Sequence, residues 1–96
     1  MPALTKVEVA QALKHPLRLQ LLPVFIANSP LSPKEASGLI DASLSDVSYH
    51  VRVLVKFRFL VLYEEERVRG ALKSYYLPND EVLKSPLVKQ FLAEHT

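Results

Sequence analysis

The stretch Leu44 to Val61, LSDVSYHVRVLVKFRFLV, carries two serines three residues apart and then Tyr-His-Val-Arg. On a wheel of 3.6 residues per turn, Val47, Val51, Leu54 and Val55 share one side, while Ser48, Tyr49, Arg52 and Lys56 lie opposite or flank it. An ordinary amphipathic helix needs only Glu and Lys outside. Hydroxyls, a phenol and a guanidinium there suit a surface that touches something polar and anionic. An arginine in a DNA major groove can donate two hydrogen bonds to guanine. Serine hydroxyls at a helix N-terminus can bond bases or phosphates, which the backbone amides and the helix dipole already attract. Arg52 is therefore the candidate base reader. Ser45 and Ser48 are candidates for phosphate or base contact, and Tyr49 for a phosphate oxygen or a sugar. Each has a plainer reading, Ser45 as a helix cap and Arg52 as a solvated chain. His50, at the core border of the wheel, suits a packed and hydrogen-bonded ring as well as a phosphate contact.

The elements around this stretch are legible in order. Thr5 with Glu8 has the form of a capping box, and Leu4, Val7, Ala10 and Leu13 follow at three-residue spacing, which predicts a helix over about residues 5 to 14. Residues 17 to 27, LRLQLLPVFIA, predict a second, largely buried helix. Pro23 inside it removes a backbone hydrogen bond, so a kink at about residues 19 to 23 is expected. Ser32, Pro33 and Glu35 open a third helix, about 33 to 40. Asp41, Ala42 and Ser43 make a tight connection, and Ser45 is the expected cap of the fourth helix, which runs to about Phe57. Two short helices joined so briefly form a helix-turn-helix. FLVLYEEE and LKSYYL then read as two strands around Arg69-Gly70-Ala71, and Ser85-Pro86 starts a last helix. The expected fold is mainly α with a small β-hairpin: a winged helix-turn-helix of order α-α-α-α-β-β-α.

Ninety-six residues suit one domain, 1–96. With 49% hydrophobic residues, so small a globule has more apolar surface than it can hide, which predicts an oligomer interface. Leu4 and Val7 of the first helix with Leu87, Val88 and Phe91 of the last supply it, giving a homodimer built from the terminal helices. The absence of cysteine excludes a disulfide framework and a thiolate metal site. No apolar stretch reaches about 18 residues without a charge and no secretory leader is visible, so a cytoplasmic protein without membrane contact is expected. The net charge of +2 favours an anionic partner only weakly, so any nucleic-acid reading rests on where the charges lie. No phosphate loop and no histidine-carboxylate-nucleophile set is present, which argues against an enzyme.

The runs ALKHPLRLQLL, LSPKEASGLI, LSDVSYHVRVLVKFRFLVL and RVRGALKSYYL together resemble the ArsR-type winged-helix transcriptional repressors, over about residues 10 to 77. The most specific pieces are His-Pro-Leu-Arg opening the second helix, the Ser-x-x-Ser-x-His-Val-x-x-Leu frame, and the Val-Arg-Gly wing turn. The resemblance implies a homodimer binding double-stranded DNA at an inverted repeat. It places Ser45, Ser48, Tyr49, His50 and Arg52 on a DNA-reading helix, with Arg67 and Arg69 on the wing and Lys73 as a further wing candidate. Metal-sensing members carry a cysteine pair or a histidine and carboxylate set. Here His15, His50 and His95 lie in three separate elements without chelating spacing, so no metal or other cofactor is expected. Arg58 stands where the family places a glycine, which requires either a left-handed arginine or a different helix exit. Glu64, Glu65 and Glu66 precede the wing arginines and depart from a strongly basic wing. That run supports an alternative, a winged-helix module that binds a basic protein and not DNA. The operator, and any effector that releases DNA, are not legible.

Overall fold

The structure, a computed structural model, describes residues 4–95. Helices α1 (Lys6–Leu13), α2 (Pro16–Asn28), α3 (Pro33–Ile40) and α4 (Leu44–Lys56) are followed by strands β1 (Leu60–Val68) and β2 (Ala71–Pro78), then α5 (Asp80–Leu83) and α6 (Pro86–Glu94). The winged helix-turn-helix order is thus present. The single-turn α5, capped by the Asn79 side chain, is an addition that four residues are too few to signal by periodicity. No helix among the described residues is long and apolar enough to cross a membrane.

Both capping boxes form, Thr5 with Glu8 and Ser32 with Glu35. The backbone amide of Ser32, ahead of its hydroxyl, holds the Glu35 carboxyl below its ordinary range. Pro16 takes the first position of α2, where its missing amide costs nothing. The helix continues through Pro23, which is exposed, so its ring intrudes on no packed side chain.

The core gathers Val9, Ala12 and Leu13 of α1, Leu21, Leu22 and Phe25 of α2, Ala36 of α3, and Val47, Val51 and Leu54 of α4, with Leu31, Phe59, Leu60 and Val88. All are apolar and nearly or fully excluded from solvent. Leu31 also exchanges two backbone hydrogen bonds with Tyr76, of 3.2 and 2.8 Å, which tie β2 to the segment before α3. The hairpin is thereby anchored to the helices at its base while its tip stands free.

The end of α4 answers the question raised by Arg58. Arg58 is left-handed at φ 66°. Its amide bonds the Val55 carbonyl at 3.0 Å and the Phe59 amide bonds the Leu54 carbonyl at 2.8 Å, the paired bonds of a Schellman motif. Leu54 and Phe59, the apolar pair that accompanies that motif, are both fully buried. The helix therefore ends in a left-handed residue that is poorly suited to that backbone. Arg58→Gly should raise stability by about 1 kcal/mol in urea denaturation, because glycine holds a positive φ without the Cβ clash.

Candidate nucleic-acid interface

Helices α3 and α4 are joined by Asp41, Ala42 and Ser43, with Asp41 left-handed at φ 52°. Aspartate tolerates that region better than most residues, so the turn closes without glycine. The cap of α4 is Ser43 and not Ser45: the Ser43 hydroxyl accepts the Asp46 amide at 3.1 Å. Capping at Ser43 places Ser45 in the first turn, exposed, with its hydroxyl uncommitted to the cap. The expected cap at Ser45 lies two residues too late because either serine satisfies the local rule. The structure takes the earlier serine: α4 begins at Leu44, directly after the three-residue turn.

Along the outer face of α4, Ser45, Arg52 and Lys56 are exposed, Tyr49 is 54% exposed and Ser48 is half-buried. Lys56 lies 5.9 Å from the Phe57 ring centroid. His50 does not join them. It is only 8% exposed, and its Nδ1 lies 2.9 Å from an Nη of Arg18. Arginine has no lone pair to offer, so Arg18 donates, and His50 is held neutral with its proton on Nε2. Burial first, then the nearby His15 ring and the Arg18 charge, lower the His50 pKa from its ordinary 6.5. The expectation that His50 sits on the reading face is corrected to this extent: its ring is part of the helix's seat.

Arg18 completes that seat. It is 8% exposed within α2, and its Nε donates to the Ala12 carbonyl at 2.6 Å and an Nη to the Gln11 carbonyl at 3.2 Å. These carbonyls belong to the C-terminal turn of α1, where the helix dipole favours a cation. His15 caps α2, its Nδ1 accepting the Leu17 amide at 3.1 Å, and its ring lies 4.1 Å from the His50 ring. Sequence reading noted His-Pro-Leu-Arg only as a family signature. The available signal was a lone cation inside an otherwise apolar helix, which needs buried partners that one-dimensional spacing does not supply.

The wing turns through Arg69 and Gly70 alone, since Val68 pairs with Ala71. Both turn residues have positive φ, 52° and 79°, as a type I′ hairpin turn requires. A register shift between Leu62 and Glu64 leaves Tyr63 as a bulge. Directly opposed residues share a face, so Glu66 and Lys73 stand on one side, and Arg67 and Leu72 on the other with Glu65 and Ser74. Arg67 and Arg69 are exposed. Lys73 is half-buried and lies 5.2 Å from the Tyr75 ring centroid. Hydrogen bonding to Tyr75, followed by the charges of Glu35 and Glu66, raises its pKa.

Between wing and helix lies an open groove of about 510 Å³. Ser48, Val51 and Arg52 of α4 face Leu72, Lys73 and Ser74 of β2 across it, and Lys34 of α3, which sequence reading passed over, reaches its edge. Three cations thus border one concave surface in a molecule of net charge +2. Of the expected DNA-facing residues, Ser48, Arg52 and Lys73 come together here. Ser45, Tyr49, Lys56, Arg67 and Arg69 are presented outside it.

The expected dimer residues divide as well. Val7 is 65% exposed, Leu4, Leu87 and Phe91 are half-buried, and Val88 is fully buried in the core of its own chain. Val88 therefore leaves the interface set: it docks α6 on the protomer. The Phe91 ring stacks on His95 at 3.9 Å. Among the described residues no group of three or more histidines and carboxylates could hold a metal ion.

No protein-family model matches this sequence, and no curated protein does. Solved structures do match its fold. The homodimeric winged helix-turn-helix DNA-binding domain of Mb0332 from Mycobacterium bovis superposes with a TM-score of 0.72 at 17% identity, over 99% of this chain and 92% of that one. Reduced HlyU from Vibrio cholerae gives 0.65 at 24% identity, over 92% and 81%. The ArsR family transcriptional regulator RHA00566 gives 0.64 at 20%, over 98% and 92%. At these identities the likeness establishes the winged helix-turn-helix fold.

The reassigned cap has a direct check. Ser43→Ala should cost about 1 kcal/mol in denaturant unfolding, while Ser45→Ala should stay within about 0.5 kcal/mol of the parent chain. The reverse order would restore Ser45 as the cap.

Proposed function

We propose that this chain is an ArsR-type transcriptional regulator, a repressor that binds double-stranded DNA at an inverted repeat as a homodimer and needs no metal. The observation that carries the reading is the outer face of α4: Ser45, Tyr49, Arg52 and Lys56 stand exposed opposite a buried face of Val47, His50, Val51 and Leu54, on the second helix of a helix-turn-helix. In this reading α4 enters the major groove, Arg52 reads a base edge, and Ser45, Ser48 and Tyr49 hold phosphate or sugar. Arg69 at the wing tip and Arg67 beside it reach the backbone or minor groove, and Lys34 and Lys73 add positive potential along the groove between. The matched Mb0332 domain is described as homodimeric and DNA-binding, and RHA00566 as a transcriptional regulator, which supports both halves of the proposal. A non-enzymatic, cytoplasmic role follows from the same reading. All of this rests within one domain spanning residues 1–96.

A protein-binding module is the second reading. Glu64, Glu65 and Glu66 are all exposed along β1, beside exposed Leu62 and Tyr63. A basic partner would fit that strand.

Salt separates the two readings. Binding of random and selected duplexes should weaken steeply as salt rises, and replacing Arg67 and Arg69 together by Ala should flatten the slope of log affinity on log salt by about 1 to 2. Arg52→Ala should cost about 1 to 3 kcal/mol on the selected sequence and relax preference at one base pair per half-site. If the parent chain binds no duplex at low salt, the protein-binding reading takes its place.

Val7 offers a clean test of the dimer, because it is 65% exposed and contributes nothing to the core of its own chain. Sedimentation at tens of micromolar should show a dimer for the parent chain and a shift toward monomer for Val7→Asp, with the melting of the protomer core retained. A monomeric parent chain at that concentration would exclude the terminal-helix interface.

A further inference from the structure

The inner side of the DNA-reading helix is not wholly apolar. His50, one turn after Val47 and next to Val51, meets a buried guanidinium and a second imidazole, and no carboxylate of α1 or α2 bonds to that guanidinium. We propose that Arg18 and His15 are positioning residues for α4, and that proton uptake by His50 loosens the helix from its seat and weakens DNA binding. The second half rests on the reading of α4 as the DNA-contacting helix.

Both imidazoles use Nδ1 as an acceptor, His15 from the Leu17 amide and His50 from Arg18. A neutral ring that accepts at Nδ1 carries its proton on Nε2, so the incoming proton must go to Nδ1 itself. Uptake therefore deletes the bond and places a second positive charge against Arg18 or against the neighbouring ring 4.1 Å away. The groups around His50 are few. Arg18 and His15 face it from α2, Tyr49 lies edge-on 5.0 Å away on α4, and Asp46 on the preceding turn of α4 favours the charged ring. The Gln11 and Ala12 carbonyls of α1 already accept from Arg18.

The sign is what makes the idea distinctive. A histidine on a DNA-facing surface gains charge on acidification and strengthens phosphate attraction. Here the ring lies behind the helix, so acidification should act the other way. The depressed folded-state pKa gives the same direction for stability: the contribution of His50 is fully present above its ordinary 6.5 and is lost as pH falls below it toward the lowered value.

Two measurements on the full chain test this. In the first, histidine ring signals and backbone amides are followed by NMR between about pH 7.5 and 5, with circular dichroism marking where the chain remains folded. The amides of Ser45 to Arg52 should shift in step with His50, before unfolding begins. In the second, fluorescence anisotropy with a duplex selected at neutral pH is read at constant ionic strength. Affinity should fall about tenfold from pH 7.5 to 5.5 in the folded range, the scale of one lost charge-assisted hydrogen bond. His50→Asn, whose Oδ1 can accept from Arg18 and has no proton to gain, should lose that pH dependence; His50→Gln should lose it too, but should hold the affinity at neutral pH less well because its amide reaches further. A folded chain whose affinity holds or rises on acidification overturns the proposal, as does a silent α4 during the His50 titration. If no duplex binds at any pH, it is the DNA reading that fails, and the α4 amides alone decide whether the seat responds to protons.

Discussion

The guanidinium of Arg18 is the point on which three helices converge. It leaves water almost completely, an expensive move for a permanent charge unless each of its nitrogens finds a partner. The answers come from two carbonyls at the end of α1 and from the imidazole of α4. No carboxylate takes part in these bonds. The partial negative charge at a helix C-terminus replaces one, which keeps the site polar without committing a second full charge to the interior. Among the described residues no buried side-chain nitrogen or oxygen is left without a partner. The orientation of α4 about its own axis is therefore set by a directional contact in addition to the apolar packing of Val47, Val51 and Leu54.

The two ends of α4 are set just as tightly. Left-handed Asp41 turns the chain in and left-handed Arg58 turns it out. Between them Ser43 caps one end, and the Leu54–Phe59 pair closes the other against the core. A recognition helix is useful only if its outer side chains keep a fixed relation to the rest of the surface. Side chains on α4 inherit that relation from buried contacts they do not themselves make.

The wing works under a different constraint. It is one hairpin, exposed along almost all of β1, and anchored at its base by the Leu31–Tyr76 bonds and by Phe59 and Leu60. Its type I′ tip projects Arg69 and its pleat separates Glu66 and Lys73 from Arg67. The acidic run thus does not simply cancel the basic tip. Alternation sends the carboxylates to both faces, and Lys73 is drawn toward Glu66 and Glu35, while Arg67 and Arg69 remain exposed. The bulge at Tyr63 interrupts the regular edge of β1, which discourages pairing with another strand.

Local rules carried much of this into plain view in the sequence. Capping boxes at Thr5 and Ser32, prolines at helix starts, the 3.6-residue period of α4 and the alternation of the hairpin depend on neighbours a few residues apart, so the element order and the outer face of α4 could be read directly. Arg58 is marked as standing where a left-handed residue belongs by the family resemblance, not by local spacing. What spacing could not decide were the choices between local equals and the contacts made across the chain. Ser43 and Ser45 satisfy the same capping rule, and the helix takes Ser43. Val88 and Phe91 share an apolar helix face, and only docking of α6 on α1 sent Val88 into the core and left Phe91 at its margin. His50 and Arg18 are 32 residues apart, and nothing in either segment announces the other. A buried charge must find its partners in three dimensions, so the seat beneath α4 came into being only when α1, α2 and α4 packed together.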